Sequence, residues 1–196
     1  MIGIIATSIR VVWALVDGLL ILSRGGNDPY GLRRESNHAS GGADKYSARI
    51  WDVASCLEVI GIVCGLFGFG RMQLSNNVLA WFGLTVMIIG IAIRWSAIRT
   101  LGKYFSGKVA IQPGHQLIRD GLHKYVRHPS YTGLLLAHLG LGLSFVNWFT
   151  LGFSVIPFVV AVWYRMRVED AALQTAFGVV YLDYSKHAKR LIPKLY

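Results

Sequence analysis

Four apolar blocks constrain this chain more than any other feature. They cover residues 1–22, 52–70, 78–98 and 132–163 of 196. A helix needs about 20 apolar residues to cross a bilayer's hydrocarbon, so the first three blocks each read as one span. The fourth is too long for one span and short for two. It is interrupted at Asn147-Trp148, a polar residue beside an aromatic that favours membrane interfaces. Two short antiparallel helices meeting in a tight turn fit that block, with Pro157 kinking the second. The expected fold is an all-α integral membrane protein of about five spans, the last two forming a helical hairpin. Charged residues make up only 15% of the chain, against about 25% in soluble domains.

Charge then orients the bundle. The net charge is +10, which in a soluble protein would raise nucleic acid as a partner. No stacking platform or recognition helix supports that reading. Seventeen of the 20 Lys and Arg residues fall in 23–51, 99–131 and the tail after 163. In a five-span model these stretches share one face, which the positive-inside rule makes cytoplasmic, with the N-terminus outside. Residues 1–22 carry Arg10 and Asp17 and lack a small-residue cleavage pattern, so they read as a retained helix rather than a signal peptide. The glycine-rich loop 25–42 should be mobile. Cys56 and Cys64 lie two helical turns apart, too far for a disulfide, and read as small apolar residues. No repeat or second domain is visible. The chain reads as a single membrane domain, 1–196, with three spans in 1–98 and a chemistry-bearing region in 99–196.

That chemistry gathers in two places. Gly121-Leu-His-Lys-Tyr-Val-Arg-His-Pro-Ser-Tyr-Thr-Gly133 is a polar knot between apolar blocks, and Arg165-Met-Arg-Val-Glu169-Asp170 follows the last one. Pro129 excludes helix before it and opens helix after it. Arg127 and His128 therefore stand at a helix N-terminus, where anions are favoured. Glu169 and Asp170 are acids on a basic face and suggest a specific cationic partner. Other sites are not supported. Gly68-Phe-Gly70 lacks the third glycine and the strand–helix context of a dinucleotide site. Ser130 follows a proline rather than sitting in a nucleophile elbow. His115, His123 and His128 lack the spacing and partners of a metal site. Arg10, Asp17 and Arg94 fall inside spans, where charge usually marks function, although Arg94 is placed to snorkel to the near interface. In the tail Gln174–Arg190, Phe177, Tyr181 and Tyr184 recur on one face of a helical segment lying at the membrane surface or against the bundle.

The pattern His115-Gln-Leu-Ile, Gly121-Leu-His, Arg127-His-Pro-Ser-Tyr131-x-Gly133, Arg165-x-x-x-Glu169-Asp170, Leu173, Phe177-Gly178, Tyr181, Tyr184 and Ile192-Pro193 resembles the isoprenylcysteine carboxyl methyltransferase family. Related phospholipid N-methyltransferases are similar in outline. The resemblance covers about residues 100–196 and implies an S-adenosylmethionine-dependent enzyme with an all-helical cofactor site. It implies cofactor contacts from His115, Gln116, Leu117, Ile118, His123, His128, Pro129, Ser130, Tyr131 and Glu169. It also implies a substrate-facing Arg165 and roles in catalysis for Arg127, Arg165 and Glu169, with no metal. The implied partner is a lipid-modified cysteine or another lipid in the bilayer. Two positions depart from the family pattern: His123 stands where tyrosine is usual, and Asp170 where a second glutamate is usual. Methyl transfer to a carboxylate needs orientation and charge placement rather than a base, and arginine forks suit the carboxylate. The alternative, N-methylation of a lipid amine, needs a base for the arriving ammonium.

Overall fold

The computed structural model describes residues 1–24, 41–73, 77–105, 111 and 114–196. Segment 25–40, on which the expectation of a mobile loop falls, lies outside the described residues. The fold is all-helical. Helices α1 (Ile2–Arg24), α2 (Gly41–Leu66), α3 (Val78–Leu101), α4 (Pro129–Ser144), α5 (Trp148–Phe177) and α6 (Val179–His187) follow in order, with 3-10 turns at Gly102–Tyr104 and Gly121–Lys124. Among the described residues there is no strand, only two isolated bridges.

Three segments, Ile2–Leu19, Val78–Tyr104 and Trp148–Phe177, are long and apolar enough to cross a membrane. They mark an integral membrane protein. The side chains they turn outward agree: Val11, Leu15, Trp81, Ile88, Ile156 and Val160 are all exposed, a surface that water would not tolerate and lipid would. Helix α2 carries Asp52 and Glu58 within its apolar part. Helix α4 has 16 residues and so spans about 24 Å, less than the hydrocarbon thickness of about 30 Å.

Helices α3 and α4 pack antiparallel with almost no space between their backbones. A Cβ on Gly140 would lie 2.2 Å from the Met87 amide nitrogen, and one on Gly90 would lie 2.4 Å from that of Ala137. Gly83 and Gly133 are equally confined by the facing backbone. Lipid offers helices no hydrophobic drive to associate, so close contact through small residues supplies the packing instead. This pairing fixes where α4 begins, and hence where the polar knot sits.

The interruption at Asn147 has a structural purpose. Its side-chain oxygen accepts from the amides of Phe149 and Thr150 (3.0 and 3.1 Å), capping α5. Its amide nitrogen donates to the Phe69 carbonyl, tying the α4–α5 turn to the end of α2. Helix α5 corrects one expectation. It is not short but 30 residues long, because the helix continues past the apolar block at 163 to present Arg165, Glu169 and Asp170 in register. It ends where Gly178 takes φ +51°, a conformation that favours glycine. The tail from 174 is therefore two helical pieces rather than one. Its aromatics turn inward: Tyr181 and Tyr184 are buried against Leu117, Leu173 and Phe177.

Candidate active site

The N-terminus of α4 organises the site. Pro129 occupies the first turn and His128 the N-cap position, with no capping bond from its side chain. The chain before it is held from outside, since the amides of Arg127 and His128 donate to the carbonyls of Lys189 and Arg190 (2.7 and 3.0 Å). Thr132 Oγ1 adds a bond to the Leu191 carbonyl (2.8 Å). The tail thus clamps the knot, and α5 brings two carboxylates to the same helix end, the pole where negative charge is stabilised.

These two carboxylates do different things. Asp170 is buried and receives four side chains. His128 Nε2 lies 2.8 Å from Oδ1, Arg190 Nε donates to Oδ2 at 3.0 Å, the Tyr181 hydroxyl donates to Oδ1, and Arg127 Nη1 stands 3.7 Å away. A carboxylate so fully engaged ties α4, α5, α6 and the tail together. Glu169 is more open, with a side chain 33% exposed. It accepts from the Tyr131 hydroxyl at 2.9 Å, and that same hydroxyl accepts from Arg165 Nε at 3.1 Å. Arg165 also donates through Nη1 to Ser47 Oγ on α2 at 3.1 Å. A guanidinium and a carboxylate one turn apart on α5 are therefore fixed through a shared phenol.

Both groups face a cavity of about 670 Å³. Of the residues the sequence singles out, His115, Gln116, Leu117, Ile118, Arg127, His123, His128, Ser130, Tyr131, Arg165 and Glu169 all line it. Pro129 does not; it is buried and serves to start α4. His115 stacks on Tyr104 with ring centroids 4.7 Å apart and meets the edge of Phe177. Arg127 donates to the Tyr181 hydroxyl at 3.3 Å.

The residues present suit a polar, cationic small molecule with an aromatic part. Buried Nδ1 of His115, Nδ1 of His123 and Nε of Arg127 have no hydrogen-bond partner among the described residues. Such atoms at a cavity wall are costly unless a ligand or water meets them. The Tyr104–His115–Phe177 cluster supplies a flat apolar wall, and Glu169 an anion beside it.

Burial tunes the groups outside the spans. The His123 imidazole is depressed to about 4 by desolvation, with the nearby His128 acting in the same direction. Burial also lowers His115 and pushes the Tyr184 phenol up to about 12. His123 is therefore neutral at physiological pH. Because its folded-state value lies below the ordinary histidine value of 6.5, the unfolded chain binds the extra proton first as pH falls. Stability should drop between about pH 6.5 and 4, by up to about 3 kcal/mol from this group. Thermal unfolding in detergent at pH 7 and pH 5 reads the effect, and His123→Phe should flatten it. An equal slope in that variant would remove His123 as the source.

In the deeper half of the cavity the sequence points to Arg10, Asp17 and Arg94 but not to how they pair. Arg94 does not snorkel: it is 6% exposed and its Nε donates to Asp17 at 2.7 Å, with Trp95 Nε1 on the same carboxylate. Arg10 bonds Glu58 through Nε and Nη2 (3.2 and 2.9 Å), and His138 Nδ1 meets the other oxygen of Glu58 at 2.5 Å. Glu58 and His138 were visible as lone polar residues within apolar blocks, a signal that hydropathy alone averages away.

Apolar helices around a charged, aromatic-walled chamber define a class: integral membrane proteins with a polar binding chamber inside the helical bundle. Comparison with known proteins narrows it. The model of the isoprenylcysteine carboxyl methyltransferase family matches residues 82–175. Protein-S-isoprenylcysteine O-methyltransferase B of Arabidopsis thaliana is 33% identical over 145 residues, 71% of this chain and 70% of that protein. The Schizosaccharomyces pombe protein-S-isoprenylcysteine O-methyltransferase is 34% identical over 116 residues, 56% of this chain and 48% of its own length. An uncharacterised Haemophilus influenzae protein is 30% identical over 149 residues, covering 74% of this chain and 86% of that one. The chain belongs to the isoprenylcysteine carboxyl methyltransferase family, and so to the methyltransferases.

Proposed function

We propose that this protein transfers a methyl group from S-adenosylmethionine to the carboxylate of a lipidated, S-isoprenylcysteine-like substrate at the membrane. The observation that carries this reading is the Arg165–Tyr131–Glu169 relay, with its 3.1 and 2.9 Å bonds on the cavity wall. It holds a cation for the substrate carboxylate and an anion for the donor at fixed spacing. His115, Gln116, Leu117, Ile118, His123, His128, Ser130, Tyr131 and Glu169 would hold S-adenosylmethionine, which supplies an electrophilic methyl on a sulfonium. Arg165 orients the substrate carboxylate. Arg127, pinned by Tyr181 and Asp170, adds positive charge beside it. A carboxylic acid is already ionised near neutral pH, so no side chain has to remove a proton, and the protein acts by alignment and charge placement. Water-soluble cofactor and greasy substrate enter from different sides. Both arginines oppose an ammonium, which places lipid-amine methylation second. The test is the product itself: methyl label found on the carboxylate of an S-prenylcysteine supports the reading, and none there sinks it.

All of α1–α5 cross the bilayer in this reading, with α4 and α5 as a hairpin and α2 and α4 completed by polar ends. Residues 1–196 form one membrane domain, and 99–196 carry most of the cofactor site. The active-site mouth and α6 lie on the cytoplasmic face. Single cysteines at Tyr46 and His187, both exposed, should react with a membrane-impermeant reagent from the same side, and one at Phe69 from the other. Labelling of 46 and 187 from opposite sides would refute the topology.

A further inference from the structure

Helix α2 supplies a polar contact to the active site that helix packing alone does not call for. Ser47 is 1% exposed, and its Oγ accepts from Arg165 Nη1 at 3.1 Å. Helices α2 and α5 are already locked together elsewhere. A Cβ on Gly61 would lie 2.8 Å from that of Phe153, and Thr150 Oγ1 donates to the Gly61 carbonyl at 2.8 Å. One turn on from Ser47, Trp51 meets the edge of Phe158 with ring centroids 5.5 Å apart. The serine bond therefore adds little to holding the helices and much to holding the guanidinium. With Nε on the Tyr131 hydroxyl alone, the planar group of Arg165 can still pivot about that bond. A second bond from Nη1 to another helix fixes its plane. Arginine meets a carboxylate through a planar fork, so the orientation of that plane decides how well the two match.

We propose that Ser47 is a positioning residue: its buried oxygen sets the plane of the Arg165 guanidinium, and through it the grip of the cavity on a substrate carboxylate. The inference rests on the reading that Arg165 meets that carboxylate. Ser47 is not among the residues lining the cavity, so it acts through the guanidinium rather than on the substrate. A neutral acceptor suits this task, because an acid in its place would pair with the guanidinium and offset the charge the substrate needs. Residue 47 also precedes the segment 82–175 that the family model matches, so the role comes from the half of the chain outside it.

Calorimetry on the full chain in nanodiscs, with S-adenosylhomocysteine present, reads the grip without turnover. The probes are S-farnesylcysteine and its carboxamide, which differ in charge at the group Arg165 holds in this reading. The wild type should bind the carboxylate about tenfold or more tightly than the amide. Ser47→Ala removes one small buried oxygen and should cut that ratio to about threefold or less. Ser47→Thr keeps the oxygen and should restore it. In an Arg165→Ala background, Ser47→Ala should change nothing further, since no guanidinium is left to orient. A serine that only braces the helices would lower the melting temperature and leave the ratio alone. Equal binding of the two probes by the wild type, an unchanged ratio in Ser47→Ala, or a loss of the same size with Arg165 already removed overturns the proposal. If Ser47→Thr is too crowded to fold, Ser47→Ala and the double variant decide. Methyl transfer is scored separately: a serine-dependent preference for the carboxylate without methyl ester formation upholds the positioning role and refutes the activity.

Discussion

Arg165→Lys should lower kcat/KM for the prenylated substrate by about a hundredfold, a loss of about 2.7 kcal/mol in transition-state stabilisation. Lysine keeps the charge but loses the planar fork. The fork lets one side chain hold the Tyr131 hydroxyl through Nε and Ser47 through Nη1 while still presenting a fixed cationic edge to the cavity. An ammonium on a flexible stem cannot keep that geometry. Cofactor affinity should change little, because Glu169 retains its own bond to Tyr131. If Arg165 were only an anchor for lipid phosphate, lysine would serve equally well, so near wild-type turnover would remove it from the substrate site.

The complementary result is expected at the other end of the relay. Glu169→Ala should weaken binding of S-adenosylhomocysteine by at least about tenfold, or about 1.4 kcal/mol. Of the two carboxylates at the start of α4, that of Glu169 is the one left partly open, since Asp170 is taken up by His128, Tyr181, Arg190 and Arg127. Its removal also frees the Tyr131 hydroxyl, so some loss of turnover will accompany the loss of affinity. Calorimetry on folded protein checks it, and unchanged affinity would place the cofactor elsewhere. Asp170→Ala, by contrast, should loosen the tail clamp and act through stability.

The sequence made most of this legible where a local rule decides structure. Hydropathy located α1, α3 and the apolar parts of α2, α4 and α5, Pro129 marked the start of α4, and Asn147 marked the break that proves to be an N-cap. The chemistry of the polar knot was legible too, since His123, Arg127, His128, Ser130 and Tyr131 stand close together in the chain and reach one cavity. Long-range partners were not. Arg94 alone reads as an interfacial snorkel. Only folding shows that Asp17, 77 residues away, stands opposite it. Glu58 and His138 are 80 residues apart, and each by itself is a blemish in an apolar run. The length of α5 was misjudged for a related reason: apolarity ends where lipid contact ends, whereas a helix continues until something such as Gly178 stops it. The glycines of the α3–α4 interface look unremarkable singly and acquire meaning only in facing pairs.

In the proposed mechanism a substrate carboxylate, held by arginine, takes the methyl group. Purified protein given methyl-labelled S-adenosylmethionine, with a farnesylcysteine analogue and phosphatidylethanolamine in the same vesicles, tests it most directly. Label is expected on the farnesylcysteine analogue as a base-labile methyl ester, abolished when its carboxylate is blocked as an amide. Label that resists base and resides on the phospholipid amine would contradict it.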